Sequence, residues 1–324
     1  MRDDGLTGEP TELTRIAAID VARGASLVAM GVYHLTWDLA NFGFAPAGLP
    51  FTPAMRFFSH GVASAFLALV GVSLALAHPR GLRWRAFARR LAIVAGAALL
   101  VTVATYLIDH DEPIFFGILH CIAVASLVAA PFVGAPAWMA LAAGALALVA
   151  PLAVTSQSFN SPALIWLGLG TDAPRSLDWR PLLPWAGVVL VGFALARVSL
   201  ARLARSRLAL WRPAAIPGRA LGFAGRHSLA IYLVHQPILF GTLFALANLT
   251  GLSARQERES YLAACRPACV EAGGELAPCA KACACVADRA QAAGLSLGAA
   301  HGRGGADERG RLESIVDACG AEAP

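Results

Sequence analysis

The sequence predicts an all-α integral membrane protein, in which a bundle of about seven transmembrane helices precedes a small cysteine-rich helical tail on the extracytoplasmic side. Three observations lead to this prediction: the composition, a series of long apolar runs, and a change to polar composition after Gly251. Of the 324 residues, 57% are hydrophobic and 15% are charged, whereas an ordinary soluble domain has about 25% charged residues. Because a soluble fold of this size cannot bury so much apolar surface, we expect lipid to be the main solvent.

Seven apolar runs approach the length of about 20 residues that a helix needs to cross a bilayer core. The first run, residues 16–44, is interrupted by polar side chains, and residues 1–15 are predicted to be a cytoplasmic segment. The length of this run and its polar, charged lead argue against a signal peptide cleaved at Ala45-Pro46-Ala47. We therefore predict a transmembrane domain over residues 16–251. Its other six runs are residues 57–77, 91–108, 113–133, 138–154, 182–196 and 229–249.

The distribution of arginines predicts the orientation in a cell membrane. If the N-terminus is cytoplasmic and the chain crosses seven times, all but three of the 18 arginines before residue 252 lie on one side, the exceptions being Arg56, Arg175 and Arg180. Basic connections remain on the cytoplasmic side of a membrane protein, so the net charge of +5 gives no reason to expect nucleic-acid binding. Within the outer loop, the short apolar segment 162–170 is expected to dip into the membrane interface or to fold back on the bundle.

Residues 252–324 are predicted to form a separate extracytoplasmic tail of periplasmic type. Six of the seven cysteines lie in it, and the Cys265-x3-Cys269 and Cys279-x3-Cys283 pairs are each spaced at one helical turn. We expect two short helices joined by disulfides, and a flexible end. Fifteen pairings of six cysteines are possible, and a zinc site is the alternative. The disulfide candidates are Cys265, Cys269, Cys279, Cys283, Cys285 and Cys319.

The first predicted span contains the most ionisable residues, and such residues within spans are candidates for function because insertion is costly. Arg23 lies near the cytoplasmic end, and His34 lies about 16 Å deeper at a helical rise of about 1.5 Å per residue. Asp38 follows His34 by four residues, so the carboxylate can orient the imidazole and stabilise its protonated form, as a general base requires. Asp20 precedes Arg23 by three residues, which permits a local ion pair.

Three other histidines fall within the predicted spans. A lone histidine on an apolar helix is more often a hydrogen-bonded packing residue than a catalyst. We expect that role for His60, whereas His120 and His235 remain open between a structural role and a part in the site.

Four motifs then occur in order along the chain. They are Arg15-x4-Asp20-x2-Arg23-Gly24 with His34 downstream, Phe116-Gly117-Ile118-Leu119-His120, Asp178-Trp179-x-Pro181-Leu182-Leu183-Pro184-Trp185-x-Gly187, and Gly225-Arg226-His227-Ser228-Leu229-x-Ile231-Tyr232-x2-His235-Gln236-Pro237. Together they resemble the bacterial branch of the heparan-alpha-glucosaminide N-acetyltransferase catalytic-domain family, over about residues 15–249. The Arg-x10-His spacing of Arg23 and His34 is also similar to that of integral-membrane O-acyltransferases that modify cell-envelope glycans.

The resemblance implies that an acetyl group moves from cytoplasmic acetyl-CoA to an amino sugar or other envelope glycan on the outer side. Acetyl-CoA would be the co-substrate, and no metal is expected. In this interpretation Arg23, directed by Asp20 and helped by Arg15 or Arg226, holds the phosphates of coenzyme A. Arg15 and Arg226 have cytoplasmic anchoring as their alternative role.

The same resemblance implies roles for residues deeper in the membrane. His34 would remove a proton from the acceptor amine or hydroxyl, or carry the acetyl group transiently, with Asp38 stabilising the imidazolium. His235 or His120 would complete the site. On the outer side, Asp178 and Trp179 would meet the sugar by hydrogen bonding and ring stacking, with helix capping and interfacial anchoring as the alternative.

Other functions are compatible with the same residues. A proton-coupled transporter would use His34 and Asp38 without consuming acetyl-CoA. A b-type haem protein would use His34 and His235 as axial ligands. A non-catalytic assembly factor would depend on the tail instead. The sequence leaves the oligomeric state open, with a homo-oligomer as one alternative.

Overall fold

The computed structural model describes residues 16–108, 110, 112–295, 297 and 306–322, and over these residues the chain forms helices and no strand. It contains two compact units. The first comprises residues 1–33 and 53–236, and the second comprises residues 34–52 and 237–324. Of the three boundaries between the units, one falls within α1, one within α9 and one directly before α2. The α-helices are α1 (Ala17–Asn41), α2 (Pro53–Ala77), α3 (Trp84–Ile108), α4 (Ile118–Ala129), α5 (Ala137–Ala153), α6 (Leu182–Arg205), α7 (Arg207–Leu210), α8 (Ile216–Arg226), α9 (Ser228–Leu249), α10 (Leu252–Glu271), α11 (Leu276–Ala292) and α12 (Ala306–Ala321).

Among the residues that the structure describes, four helices are long and apolar enough to cross a membrane, and this confirms the prediction of a helical membrane protein. They are Pro53–Ala77, Trp84–Ile108, Leu182–Ser199 within α6, and Ser228–Leu249. Two shorter apolar helices, Ile118–Val133 and Ala137–Ala153, fall below the length of a full crossing. Helix α1 is long enough at 25 residues, but the polar residues noted in the sequence interrupt its apolar run. The number of seven crossings remains a prediction.

The core of the first unit lies where α2, α4, α5 and α6 pack together. Leu67 and Leu74 of α2 and Phe193 of α6 are among its completely or almost completely buried side chains. A Cβ atom at Gly71 would collide with the carbonyl oxygen of Val189, so the α2 and α6 backbones approach closely at this glycine. Small residues at such crossings are typical of membrane helices, which associate by close packing.

The segment 162–170 folds back on the first unit, which was one of the two predicted alternatives. A short 3-10 helix, Ile165–Leu167, carries Trp166 and Leu167 against the buried core. Gly168 follows with a φ of +84°, and any side chain there would also collide with the carbonyl oxygen of Leu183. A left-handed conformation in such a confined position requires glycine.

In the second unit, the end of α1 packs against the second half of α9. The buried Phe42 ring makes edge contacts with Phe240 and Phe244, at centroid distances of 4.9 and 6.2 Å. Leu243 and Ala247 are buried in the same cluster. This packing lies directly before the cysteine-rich helices in the chain.

The described part of the tail contains three helices, α10, α11 and α12, instead of the two that were predicted, and disulfides join them as predicted. The third helix lies in the part that was expected to be flexible, and residues 298–305 lie outside the described residues. Two pairs of cysteines, each four residues apart, face one another across α10 and α11, because i and i+4 positions share a helix face. All six tail cysteines are disulfide-bonded, which leaves no thiolate for the zinc alternative. The bonds are Cys265–Cys283, Cys269–Cys279 and Cys285–Cys319, the last of which joins α11 to α12. Such bonds indicate an oxidising compartment for the tail.

Candidate functional site

A cavity of about 500 Å³ lies within the first unit, between α1, α2, α3, α4 and the beginning of α9. Its volume is in the range of small-molecule sites, which are mostly apolar and contain a few convergent polar groups. Apolar side chains from α2, α3 and α4, such as Phe66, Val94 and Ile122, form most of the wall. The polar and charged residues that line it are Arg23, Arg89, Arg90, Ser228 and Tyr232.

Arg23 is fixed by contacts from three helices. Its Nη1 donates to Asp20 Oδ1 and to the carbonyl oxygen of Gly225, both at 3.2 Å, and its Nη2 donates to Ser73 Oγ at 2.7 Å. The ion pair predicted between Asp20 and Arg23 is therefore present, and the Asp20 side chain is almost completely buried. These contacts orient the guanidinium where α1, α2 and α8 meet.

Two glycines from the sequence motifs allow this meeting of helices. A Cβ atom at Gly24 would collide with the backbone of Leu221, and a Cβ atom at Gly225 would collide with the backbone of Asp20. The α1 and α8 backbones thus cross in direct contact, next to the Arg23 guanidinium. Each glycine directly adjoins an arginine in its motif. The crossing requires glycine at both positions because the facing backbone leaves no room for a side chain.

Arg89 and Arg90 contribute two further guanidinium groups from the second turn of α3. In the part of the chain that the structure describes, neither makes an ion pair or a hydrogen bond. Sequence reasoning missed both, because it assigned the arginines of residues 80–90 to cytoplasmic anchoring. The predicted span began only at residue 91, whereas the helix begins at Trp84 and so includes both arginines.

Of the other two predicted phosphate-binding arginines, only Arg226 lies in the described part of the chain, and it is not at the cavity. Arg226 is exposed and packs over the Phe223 ring, with 6.0 Å between Cζ and the ring centroid. It is not among the residues that line the cavity. Arg15 lies outside the described residues.

His120 uses both ring nitrogens to hold the segment before α4. Nδ1 accepts a hydrogen bond from the Gly117 backbone N–H at 3.2 Å, which assigns the proton to Nε2. Nε2 then donates to Thr102 Oγ1 at 3.1 Å, and this hydroxyl donates to the carbonyl oxygen of Ile114 at 2.6 Å. The arrangement is a structural one, and it connects α3 to the loop that starts α4.

Asp178 caps α4 from a distant loop. Its Oδ2 accepts a hydrogen bond from the backbone N–H of Ile118, the first residue of the helix, at 2.8 Å. A carboxylate at this position is stabilised by the unpaired N–H groups and the dipole of the helix N-terminus. The Ile118 side chain also lines the cavity, so Asp178 lies at the cavity's α4 end. The structure thus shows the capping alternative for Asp178, at a place that a substrate in the cavity could approach.

Trp179 belongs to an aromatic cluster beside this cap. Its ring lies 5.3 Å from Phe115 and 6.5 Å from the buried Phe116, and Trp166 packs on the other side of Phe116 at 5.7 Å. Trp179 and Trp166 are both partly exposed. Aromatic faces of this kind can stack on sugar rings or anchor a loop at the membrane interface.

Arg180 connects the cap to α2. Its Nη2 donates to Ser59 Oγ at 2.7 Å, and its guanidinium lies 5.5 Å from the Trp185 ring. His60 stacks on the same ring at 5.5 Å, and its Nδ1 lies 2.7 Å from the carbonyl oxygen of Arg56. These contacts agree with the structural role expected for His60.

The remaining predicted residues lie in α9 and α1. His235 is in the first unit, where its Nδ1 lies 2.7 Å from the carbonyl oxygen of Tyr232. His34 and Asp38 belong to the second unit, on the same helix and four residues apart. Asp38 is completely buried, and His34 is partly exposed. Among the described residues, no three His, Cys, Asp or Glu side chains are grouped so that they could hold a metal ion.

Comparison with known proteins gives one match. A family model described as "Heparan-alpha-glucosaminide N-acetyltransferase, catalytic" matches residues 15–237. No curated protein and no solved structure matches the chain. The matched region includes every residue that lines the cavity and ends one residue after the first unit does.

Proposed function

The chain belongs to the heparan-alpha-glucosaminide N-acetyltransferase catalytic family, and from this premise we propose that it transfers an acetyl group from acetyl-CoA to an amino sugar or another envelope glycan. Membership of an acetyltransferase family favours this function over solute transport or haem binding. In our proposal the acceptor atom is an amine nitrogen. A hydroxyl oxygen is the alternative, and the panel of acceptors described below distinguishes the two.

The cavity of the first unit is the observation that carries the proposal for the donor. Coenzyme A combines several phosphate groups with a long, weakly polar arm that ends in the thioester. Guanidinium groups bind phosphate oxygens in paired hydrogen bonds. The guanidinium groups of Arg89 and Arg90 make no hydrogen bonds within the described part of the chain, so they are available to bind phosphate. Arg23 adds a third positive charge at the cavity wall. The apolar side chains farther along the cavity suit the arm that carries the acetyl group.

We propose that the donor enters from the cytoplasm and that the tail lies outside the cell membrane. The arginines of α3 lie in its first two turns, and basic residues at a span end favour the cytoplasmic side. The disulfides of the tail favour an oxidising compartment, as on the extracytoplasmic side. This assignment corresponds to a cytoplasmic N-terminus and an odd number of crossings.

We propose His34 as the general base or transient acetyl carrier, with Asp38 as its partner. The support is the burial of Asp38 and the i, i+4 spacing, which places both residues on one face of α1. For the acceptor, Asp178 and Trp179 supply a carboxylate and an aromatic face at the α4 end of the cavity.

A transfer assay with purified protein in detergent tests the proposal. Radiolabelled acetyl-CoA is supplied with glucosamine and with a panel of amino and hydroxyl glycans, and labelled acetylated product is expected. The Arg89→Ala and Arg90→Ala variants should raise KM for acetyl-CoA by roughly 10- to 150-fold each, because a charge-assisted contact is worth about 1.5–3 kcal/mol.

Arg85→Ala is the matched control, because Arg85 lies one turn earlier on α3, is exposed, and does not line the cavity. Its KM should equal that of the parent protein. Absence of product from every acceptor would refute the proposed function. Equal KM values for all three variants would refute the placement of the donor.

A further inference from the structure

Tyr232 is a polar residue of the cavity to which neither the sequence motifs nor the proposed function assigns a role. It lies one turn into α9 and lines the cavity together with Ser228, four residues earlier on the same helix face. Its ring packs among Ala97, Ala98 and Leu119 of α3 and α4. Within the described part of the chain, no side chain or backbone group hydrogen-bonds the Tyr232 hydroxyl.

The position of Tyr232 is between the two ends of the cavity. At one end, Arg23 contacts the carbonyl oxygen of Gly225, three residues before α9 begins. Tyr232 lies about 6 Å farther along α9 than Ser228, at a rise of about 1.5 Å per residue. At the other end, Ile118 lines the cavity and its N–H is capped by Asp178.

We propose that the Tyr232 hydroxyl donates a hydrogen bond to the thioester carbonyl oxygen of the acyl donor, and so stabilises the oxyanion that forms during acetyl transfer. This inference rests on the proposed function, and it adds a catalytic residue to the cavity. A phenol keeps its proton at neutral pH and has a single O–H donor. In a cavity with mostly apolar walls, a fixed donor of this kind stabilises developing charge more strongly than water does.

The reaction step that Tyr232 serves is an acyl transfer. The lone pair of the acceptor nitrogen forms a bond to the thioester carbonyl carbon, and the C=O π pair moves onto the oxygen, where it accepts the hydrogen bond from Tyr232. This pair then re-forms the carbonyl while the carbon–sulfur bond breaks and its electrons leave on sulfur. The proton lost by nitrogen is taken up by the sulfur as the thiolate leaves. The products are the acetamide and the free thiol of coenzyme A, and Tyr232 keeps its own proton throughout.

Tyr232→Phe tests this role, because it removes the hydroxyl and keeps the ring that packs on α3 and α4. Steady-state kinetics with acetyl-CoA and glucosamine should show kcat lowered on the order of 100-fold, the effect of removing one oxyanion donor. KM for acetyl-CoA should change much less than kcat, because the hydrogen bond is weak to the neutral thioester carbonyl and strong to the oxyanion of the transition state. The matched control is Tyr106→Phe, since Tyr106 lies on α3, is exposed, and does not line the cavity.

A kcat equal to that of the Tyr106→Phe control would overturn the inference, and so would a raised KM with an unchanged kcat. If Tyr232→Phe does not fold, 3-fluorotyrosine introduced at position 232 keeps the packing and makes the hydroxyl a stronger donor. A higher kcat would then support the role, and an unchanged kcat would overturn it. A parent protein without any acetyl transfer would refute both this inference and the proposed function, whereas an active parent with a fully active Tyr232→Phe variant refutes this inference alone.

Discussion

Arg23 and Arg90 line the same cavity, but their guanidinium groups have different surroundings. Arg23 donates hydrogen bonds to Asp20, Ser73 and the Gly225 carbonyl, so much of its capacity holds helices together. Arg90 has no such bond among the described residues. Charged groups in a membrane-embedded region are costly unless they serve a partner or a ligand. The open guanidinium groups of the cavity therefore indicate an anionic ligand, and Arg23 forms part of the frame around it.

The histidines also differ in whether their ring nitrogens are already used in hydrogen bonds. Both ring nitrogens of His120 are used, one by the Gly117 N–H and the other by Thr102. A general base needs a nitrogen that can accept a proton from substrate. His120 therefore has no nitrogen left for a substrate proton, and we propose His34 for catalysis, with His235 as the residue that could complete the site.

His34→Ala is expected to abolish acetyl transfer while the protein remains folded. The imidazole supplies either the general base or the transient acetyl carrier in our proposal, and the buried Asp38 lies four residues farther along the same helix. The measurement is product formation from radiolabelled acetyl-CoA, with size-exclusion profiles as the check of folding. His60→Ala is the control, and normal turnover by His34→Ala would remove this residue from the mechanism.

At the scale of helices, the crossing of α1 and α8 depends on the absence of side chains. Gly24→Ala should lower thermal stability strongly, because its Cβ would collide with the Leu221 backbone, which cannot move away as a flexible side chain can. Gly31→Ala, on the same helix with open space around it, should be neutral or stabilise by about 0.5–1 kcal/mol, since alanine favours a helix more than glycine does.

Thermal unfolding in detergent compares these two glycine variants directly. Equal unfolding temperatures for Gly24→Ala and Gly31→Ala would show that the two helices do not approach as closely as described. A lower temperature for Gly24→Ala alone would agree with the crossing that positions Arg23.

The tail shows how far local spacing predicts an element. Cysteines at i and i+4 predicted two helices and their disulfides, because that spacing places both sulfur atoms on one helix face. The pairing was not predictable, since fifteen arrangements satisfy the same spacing. The structure selects the one in which Cys265 pairs with Cys283 and Cys269 with Cys279, as two antiparallel helices require.

The candidate site shows where sequence patterns stop being sufficient. The Asp20–Arg23 pair was predictable because both residues lie on one helix face. Arg89, Arg90 and Tyr232 were not assigned to a site, because cavity lining depends on which faces of α3 and α9 meet α4. The cap of α4 by Asp178 likewise joins segments 60 residues apart, and no local pattern reveals that contact.

At the scale of the whole molecule, the proposed topology places the two ends of the chain on opposite sides of the membrane. A reporter that is active only outside the cytoplasm, fused after Gly251, is expected to be active. The physical reason is that arginine-rich connections remain in the cytoplasm while disulfides form outside. A fusion after Arg80 in the connection between α2 and α3 is the matched control and should be silent. An inactive reporter after Gly251 would mean an even number of crossings.

The central claim is that the cavity between α3, α4 and α9 holds the acyl donor. A cryo-electron microscopy reconstruction of the full chain with coenzyme A tests this claim most directly. We expect ligand density in the cavity, with the phosphates beside Arg89 and Arg90 and the sulfur end toward Tyr232. Coenzyme A bound elsewhere on the protein, with this cavity unoccupied, would contradict the account.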